Sequence, residues 1–217
     1  MCRHDDIPER TGSLSLLSLT NNTMKMRFLT ALIFLCSTLS LSAQEFADVD
    51  KSPLDAAYFP ARAAFRAFAK TDSAAMAMEP KVRVLYSRPY KKGRDVWGGD
   101  LAPYGEPYRL GANETTEITF FAPVRIGERL VPAGRYTIGA IPNADSWEVF
   151  FSLDVDGWGV YAYKPEHNVA TISVPTAKSA EVIENFSIAL YEASPGTVHL
   201  KMGWDDTVVE VPIVLLD

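Results

Sequence analysis

The feature that most constrains the fold is a succession of short β-type runs from residue 81 to the C-terminus. These runs are rich in β-branched and aromatic residues, and Pro, Gly, Asn or Asp separates most of them. The runs lie at 81–86, 116–120, 135–141, 147–153, 169–174, 183–191, 198–204 and 208–215. Short strands at spacings of about 8–15 residues, without helix-length amphipathic segments between them, favour antiparallel over parallel sheet. We therefore predict a single all-β domain, an antiparallel sandwich or a jelly-roll-like barrel, over residues 81–217.

Two stretches depart from this pattern. The N-terminal segment 44–80 contains an Ala- and Phe-rich stretch, 56–69, whose Phe65 and Phe68 have helical spacing, so we predict a short helix there. The second stretch, 88–111, has eight Gly or Pro in 24 positions, which excludes a regular element. A structureless segment longer than about 15 residues in a compact domain is uncommon and often functional.

Residues 24–43 are typical of an export signal. Residues 24–27 include two basic side chains, residues 28–41 are mostly apolar, and Ala43 supplies a small residue for cleavage. This pattern predicts a signal peptide over residues 24–43, and its apolar run is shorter than the roughly 20 residues that span a bilayer. We interpret residues 1–23 as an over-extended gene start, or alternatively as an unstructured leader. Cys36 follows Leu35 rather than a small residue, so we expect no lipid anchor.

These features predict an exported protein, periplasmic or extracellular, with no transmembrane helix in the mature chain. The formal net charge of −6 argues against nucleic acid or an anionic membrane as a partner. Both cysteines precede the predicted cleavage point, and the two remaining histidines, His167 and His199, match no metal-binding spacing. We therefore expect no metal and no cofactor. The oligomeric state stays open.

The long loop carries the candidate binding residues, because cationic and aromatic side chains alternate there in an otherwise acidic chain. Guanidinium groups bind carboxylates or phosphates through paired hydrogen bonds, and aromatic faces stack on sugars. The pattern predicts a pocket for a small anionic or carbohydrate-like ligand, built by Arg88, Arg94, Trp97, Tyr104, Arg109, Asn113 and Glu114. In the alternative interpretation the arginines only hold the loop in place, with Arg88 and Arg109 pairing with Glu114, Asp95 or Glu106.

Two acidic segments and one aromatic run complete the motifs. The run Asp154-Val155-Asp156-Gly157 resembles the start of a calcium loop but lacks the closing glutamate, so we predict a hairpin turn there. Asp205-Asp206, between two β-type runs, also predicts a turn. The aromatic residues that follow the first segment, Trp158, Tyr161 and Tyr163, are expected in the core, with an exposed polysaccharide-binding stripe as the alternative.

Several short motifs occur in order along the chain. They are Tyr86-Ser87-Arg88-Pro89, Lys92-Gly93-Arg94, Pro103-Tyr104-Gly105, Arg109, Gly111-Ala112-Asn113-Glu114, Pro132-Ala133-Gly134-Arg135-Tyr136, Ile141-Pro142 and Trp147. In these motifs the chain resembles the bacterial family called domain of unknown function 2911, over about residues 52–215. Tyr108 and Leu110 depart from the residues expected beside Arg109. The resemblance implies a secreted, β-rich domain and brings no catalytic residues with it.

Three functions remain open on the sequence alone. The first is a non-catalytic module that binds a small anionic or sugar-like ligand. The second is a hydrolase-like enzyme in which Glu114 acts as an acid or base, its protonation set by nearby arginines. The third is an envelope-associated structural or interaction protein without a small-molecule pocket. We lean away from catalysis, because the sequence contains no nucleophile or metal motif.

Overall fold

The computed structural model describes residues 24–27 and 44–216. The chain divides into two compact units, Met1–Asp48 and Val49–Asp217. In the first unit, residues 24–27 are helical and 44–48 have no regular structure; the rest of the predicted signal peptide, and residues 1–23, lie outside the described residues. No helix among the residues described is both long and apolar enough to cross a membrane.

The second unit is an antiparallel β-structure, as predicted. Its strands are β1 (Leu54–Phe59), β2 (Val82–Ser87), β3 (Thr116–Phe120), β4 (Val124–Ile126), β5 (Arg129–Val131), β6 (Gly134–Pro142), β7 (Ser146–Ser152), β8 (Asn168–Ser194) and β9 (Thr197–Leu215). They are hydrogen-bonded in the order β1-β2-β3-β6-β7-β8-β9-β4-β5, and every pairing is antiparallel. The short helices are two 3-10 helices, Ala63–Phe68 and Pro165–His167, and the α-helix α1 (Asp72–Ala77).

Strand β9 reverses direction in its middle. Asp205 has a φ of 57°, the backbone N–H of Leu215 donates to the carbonyl of Gly196 at 2.8 Å, and Lys201 Nζ lies 3.3 Å from Glu210 Oε1. Residues 198–204 and 208–215 are therefore the two arms of a hairpin, and the predicted turn at Asp205-Asp206 is confirmed. Strand β8 pairs with both arms, through residues 176–178 on one and 187–194 on the other.

The core lies between the β2–β3–β6–β7 sheet and the β8–β9 sheet, as in a sandwich. The Tyr86 ring on β2 meets Phe186 on β8 edge-on at 5.9 Å, and Phe186 meets Trp204 on β9 at 6.1 Å. The Tyr86 hydroxyl accepts a hydrogen bond from the backbone N–H of Ile188 at 3.1 Å. These side chains are buried, because alternate residues of each strand point to the same interior face.

The N-terminal segment differs from the prediction. Residues 54–59 form strand β1 rather than a helix, because their backbone groups pair in register with β2, from Leu54 opposite Ser87 to Phe59 opposite Val82. Pro60 then follows the strand, and within the predicted stretch 56–69 the helical part is Ala63–Phe68, a 3-10 helix. Cross-strand pairing here outweighs the helical spacing of the phenylalanines. The hairpin of β4 and β5, which turns at Gly127 with a φ of 55°, was not predicted.

The long segment after β2 contains no named strand or helix, as predicted. Its backbone is held by isolated bridges to the strands: Tyr90 pairs with Asn185 of β8, and Tyr108 pairs with Ala140 of β6. The Tyr108 hydroxyl donates to the carbonyl of Gly111 at 3.0 Å, and burial raises the pKa of that hydroxyl far above its usual range. These contacts fix the loop against β6 and β8 and so position the candidate site.

Candidate functional site

Trp97 joins the long loop to the core. Its indole N–H donates to the carbonyl of Trp204 at 3.0 Å. Its ring lies 4.4 Å from the Trp147 ring and meets Tyr108 edge-on at 5.6 Å. Trp97 is only half-buried, so one part of the indole packs into the core while another part borders a surface cleft.

That cleft, which we call the Trp97 cleft, has a volume of about 540 Å³. Trp97 and Tyr104 contribute aromatic surface to its lining, and its other lining groups are Asp95, Val96, Ala144, Asp145, Thr176, Ala177, Lys178, Asp205, Asp206 and Thr207. Thr176 Oγ1 donates to the carbonyl of Ala144 at 2.9 Å, which ties the β6–β7 turn to β8. The cleft therefore forms where the loop, the β6–β7 turn and the tip of the β9 hairpin meet.

A glycine allows Tyr104 to occupy its place in the wall. A Cβ on Gly98 would lie only 2.6 Å from Cε2 of the Tyr104 ring, and Gly98 has a φ of 77°. Both the close ring contact and the left-handed backbone require a residue without a side chain. The ring packs on the loop's own backbone while 46% of Tyr104 stays exposed.

Two of the four carboxylates that line the cleft are neutralised by lysines. Lys91 Nζ lies 2.5 Å from Asp205 Oδ2 in a pair that is mostly buried, and Lys178 Nζ lies 2.5 Å from Asp206 Oδ2. The hydrogen bond from Lys178 lowers the pKa of Asp206. The carboxylates of Asp95 and Asp145 have no hydrogen-bond or ion-pair partner in the described part of the chain. The cleft is therefore rich in hydrogen-bond acceptors and carries a net negative charge.

Arg88 and Arg94, both predicted to bind ligand, hydrogen-bond within the protein. Arg88 donates to Asp55 Oδ2 at 2.9 Å, to Ser187 Oγ at 2.9 Å and to the carbonyl of Phe186 at 3.2 Å. Arg94 donates to the carbonyls of Lys91 and Tyr90. The Arg88 contacts match the loop-holding role that we considered as the alternative, but its acidic partner is Asp55 rather than Glu114, Asp95 or Glu106.

Arg109, Asn113 and Glu114 lie in a second group, against residues 156–161. The carbonyl of Asn113 accepts from the N–H of Gly159 at 2.8 Å, and Glu114 forms a backbone bridge with Trp158. None of the three lines the Trp97 cleft. The structure thus brings Trp97 and Tyr104 together in one place and these three residues together in another.

The aromatic run after Gly157 is not the core strand that we expected. Trp158 is 60% exposed and Tyr161 is 90% exposed, in a turn-rich loop. Only Tyr163 packs inward, with its ring stacked on Phe150 at 4.0 Å. The rings are exposed because residues 153–167 join β7 to β8 as a long loop, so no strand alternation directs them into the core.

The predicted hairpin turn at residues 154–157 is also wrong, because the same long loop replaces it. Asp154 Oδ1 lies 2.6 Å from His167 Nδ1, and this hydrogen bond lowers the pKa of Asp154. Asp156 forms a two-pronged ion pair with Arg135. Across the described ranges, no group of three or more His, Cys, Asp and Glu residues could hold a metal ion.

Glu114, the residue of the hydrolase hypothesis, is exposed and borders a separate pocket of about 330 Å³. Glu117 and Asp156 line the same pocket, and the guanidinium of Arg135 contacts both of their carboxylates. Because that guanidinium compensates the charge of both neighbours, neither is arranged as a second free acid or base beside Glu114. The hydrolase hypothesis remains a prediction.

The cleft residues that sequence reasoning missed come from three separate parts of the chain. Asp145 lies in the β6–β7 turn, Lys178 on β8, and Asp205 and Asp206 at the tip of β9. Asp205-Asp206 was recognised only as a turn. No local signal connects these residues to the Trp97 loop, because only the folded sheet brings them together.

The fold and its clefts define a β-sandwich domain with a polar candidate binding site and no recognisable catalytic centre among its described residues. A family model described as "Protein of unknown function (DUF2911)" matches residues 69–213. The chain belongs to this family, which confirms the resemblance noted in its motifs. Neither the curated proteins nor the solved structures gave a match to the chain.

Proposed function

We propose that this protein is an exported, non-catalytic module that binds a small, hydroxyl-rich, carbohydrate-like ligand in the Trp97 cleft. One observation carries the proposal: an open polar cleft of about 540 Å³ combines aromatic surface from Trp97 and Tyr104 with unpaired carboxylates of Asp95 and Asp145. Aromatic faces pack against the C–H faces of sugars, and carboxylates accept hydrogen bonds from sugar hydroxyls. The volume lies within the range of small-molecule sites.

The charge of the cleft favours a neutral sugar over an anion. Arg88 and Arg94 direct their guanidinium groups to partners within the protein, and Lys178 is paired with Asp206. An anionic ligand would therefore meet Asp95 and Asp145 without an unpaired cation beside them. Of the two ligand classes expected from the sequence, small anionic and carbohydrate-like, the cleft therefore favours the carbohydrate-like one.

Thermal unfolding against a panel of ligands tests the proposal. Neutral sugars, amino sugars, sugar acids and organic cations are each added to the purified protein. A ligand at 100 times its dissociation constant stabilises the folded state by about 2.7 kcal/mol, which shifts the unfolding temperature measurably. We expect a shift with a neutral sugar and its loss in Tyr104→Ala.

Tyr90→Ala is the matched control for Tyr104→Ala. Tyr90 is 41% exposed and lies in the same loop but does not line the cleft, so its removal should leave the shift intact. Asp145→Asn should weaken sugar binding while keeping the side chain's size. If only organic cations stabilise the protein, the cleft is a cation site and the carbohydrate proposal is wrong. If no ligand stabilises the protein, the proposed binding function is wrong.

Export is tested separately from binding. The residues that support it are the basic and apolar stretch 24–41 and the small Ala43. N-terminal sequencing of the protein recovered outside the cytoplasm should begin at Gln44. A full-length chain retained in the cytoplasm would contradict export and leave the binding test unaffected.

A further inference from the structure

Arg109 is a half-buried arginine whose side chain has no hydrogen-bonding partner in the part of the chain that the structure describes. Its Nε is buried and makes no hydrogen bond, and among the described residues its guanidinium forms no ion pair. The Arg109 guanidinium lies over the Tyr108 ring, whose centroid is 5.8 Å from Cζ. Arg88 and Arg135, by contrast, each contact carboxylates. A half-buried guanidinium without an acceptor is costly, and an acceptor supplied by a ligand would remove that cost.

An exposed aromatic ring, that of Tyr161, lies beside Arg109, and a second exposed ring, that of Trp158, belongs to the residue directly before Gly159. A Cβ built on Gly159 would lie 3.5 Å from Arg109 Cδ and 3.6 Å from Cδ2 and Cε2 of Tyr161. The two side chains therefore flank one buried glycine. The neighbouring Trp158 is 60% exposed and Tyr161 is 90% exposed. We call the surface formed by Arg109, Trp158 and Tyr161 the Arg109 platform.

The backbone beneath the platform is well held. The N–H of Gly159 donates to the carbonyl of Asn113 at 2.8 Å, and the N–H of Thr115 donates to the carbonyl of Gly157 at 3.0 Å. These bonds join the end of the Arg-rich loop to the aromatic loop. The rings and the guanidinium are thus presented together on a fixed backbone, which lowers the entropy cost of binding.

We propose that the Arg109 platform binds a polysaccharide in which uronic acid units alternate with neutral sugars. A sugar face packs on Tyr161 and Trp158, and a uronate carboxylate accepts hydrogen bonds from the Arg109 guanidinium. The platform shares no residue with the Trp97 cleft, so this proposal does not depend on the function proposed for that cleft.

The neighbouring charges select a sparsely charged chain. Glu114 forms a backbone bridge with Trp158, Asp156 beyond it is paired with Arg135, and the whole protein carries a net charge of −6. A polymer with a charge on every unit would be repelled by Glu114 and by the overall field. Alternating carboxylates let one charge meet Arg109 while neutral units with hydroxyl groups lie beside Asn113 and Glu114.

Affinity electrophoresis of the full chain tests the proposal, in gels that contain hyaluronan, dextran or dextran sulfate. Hyaluronan supplies alternating uronates, dextran is neutral, and dextran sulfate is densely charged. We expect retardation by hyaluronan and at least tenfold weaker binding in Arg109→Gln and in Tyr161→Ala. Tyr104→Ala, in the Trp97 cleft, should bind hyaluronan as the wild type does.

Matched controls separate the platform from general effects of charge and exposed rings. Arg125→Gln removes an exposed arginine elsewhere, and Phe68→Ala removes a ring that is 81% exposed; neither should change the binding. Because Tyr161 is almost fully exposed, Tyr161→Ala tests the platform even if Arg109→Gln does not fold. Equal retardation by dextran, stronger retardation by dextran sulfate, or unchanged binding in Tyr161→Ala would each overturn the proposal, as would no retardation.

Discussion

Arg88 Nη1 lies 2.9 Å from Asp55 Oδ2, and this ion pair joins the end of β2 to the edge strand β1. The same guanidinium reaches β8 through the hydroxyl of Ser187 and the carbonyl of Phe186. One side chain thus connects the edge of one sheet to a strand of the other. The role of Arg88 is therefore structural, because all three of its acceptors belong to the protein itself.

Replacing Arg88 should therefore destabilise the fold. Arg88→Gln removes the ion pair and leaves the Phe186 carbonyl and Ser187 hydroxyl without their donor, so we expect a loss of about 1–3 kcal/mol in the free energy of unfolding. Asp55→Asn removes only the half-exposed ion pair and should cost about 0–1 kcal/mol. Urea denaturation measures both. Equal losses would show that the bonds to β8 contribute nothing.

Gly139 on β6 lies opposite Phe150 on β7, and the ring covers the glycine. A Cβ on Gly139 would lie 2.6 Å from Phe150 Cε2, and Phe150 is fully buried and stacked on Tyr163. Gly139→Ala should cost about 1–3 kcal/mol through overpacking. Chemical denaturation checks this value.

Two further variants test the cause of that loss. In Gly139→Ala combined with Phe150→Leu, the added methyl has room, so the double variant should lose less than the sum of the single losses. Gly99→Ala, whose Cβ would meet only Asp95 O at an ordinary 3.6 Å, should stay within about 0.5 kcal/mol of the wild type. Additive losses would contradict a steric cause.

The strand regions of the fold could be predicted because their periodicity is local. Alternation along β2 and β3, and turn residues such as Asp205, are visible within a few positions of sequence. Strand β1 was missed because its alanines and phenylalanines also have helical spacing, and only pairing with β2 decides between the two. Trp158 and Tyr161 were misplaced because aromatic residues are typical of strands, and nothing local shows that the segment between β7 and β8 is a loop.

Of the candidate site, the sequence predicts only the part that lies in the long loop after β2. Glycine and proline density identified residues 88–111 as irregular, and the aromatic side chains of that loop singled out Trp97 and Tyr104. The direction of each arginine was not predictable, because the partners of Arg88 are residues of β1 and β8. Long-range pairing decides whether a guanidinium faces a ligand or the protein's own carbonyls and carboxylates.

Glu210 makes the free energy of unfolding depend on pH in the acidic range. Partial burial alone would raise the pKa of Glu210, but hydrogen bonds from Tyr191, His199 and Lys201 lower it to about 2, from an ordinary 4.5. A carboxylate whose pKa is lower in the folded than in the unfolded state stabilises the fold at pH values above its unfolded-state pKa. This contribution disappears as the pH falls through the folded-state pKa. The free energy of unfolding should therefore decrease between about pH 5 and pH 2.

Unfolding curves for Glu210→Gln measure this contribution. The side chain is 31% exposed, so solvent screening limits the difference from the wild type to about 1–2 kcal/mol at neutral pH. The variant should lose less stability than the wild type as the pH is lowered. Glu181→Gln, at an exposed position, is the control and should follow the wild type. Parallel curves for wild type and Glu210→Gln would contradict the assignment.

Trp97 should contribute to stability independently of any ligand. Its indole N–H is the donor to the Trp204 carbonyl at 3.0 Å, so Trp97→Phe keeps much of the ring packing but leaves a buried acceptor unsatisfied. We expect a loss of about 1–3 kcal/mol in the free energy of unfolding, measured by urea denaturation. Trp158→Phe, at a ring that is 60% exposed, should stay within about 0.5 kcal/mol of the wild type. If both variants lose the same small amount, the bond to Trp204 does not anchor the loop, and the wall of the cleft must be held by other contacts.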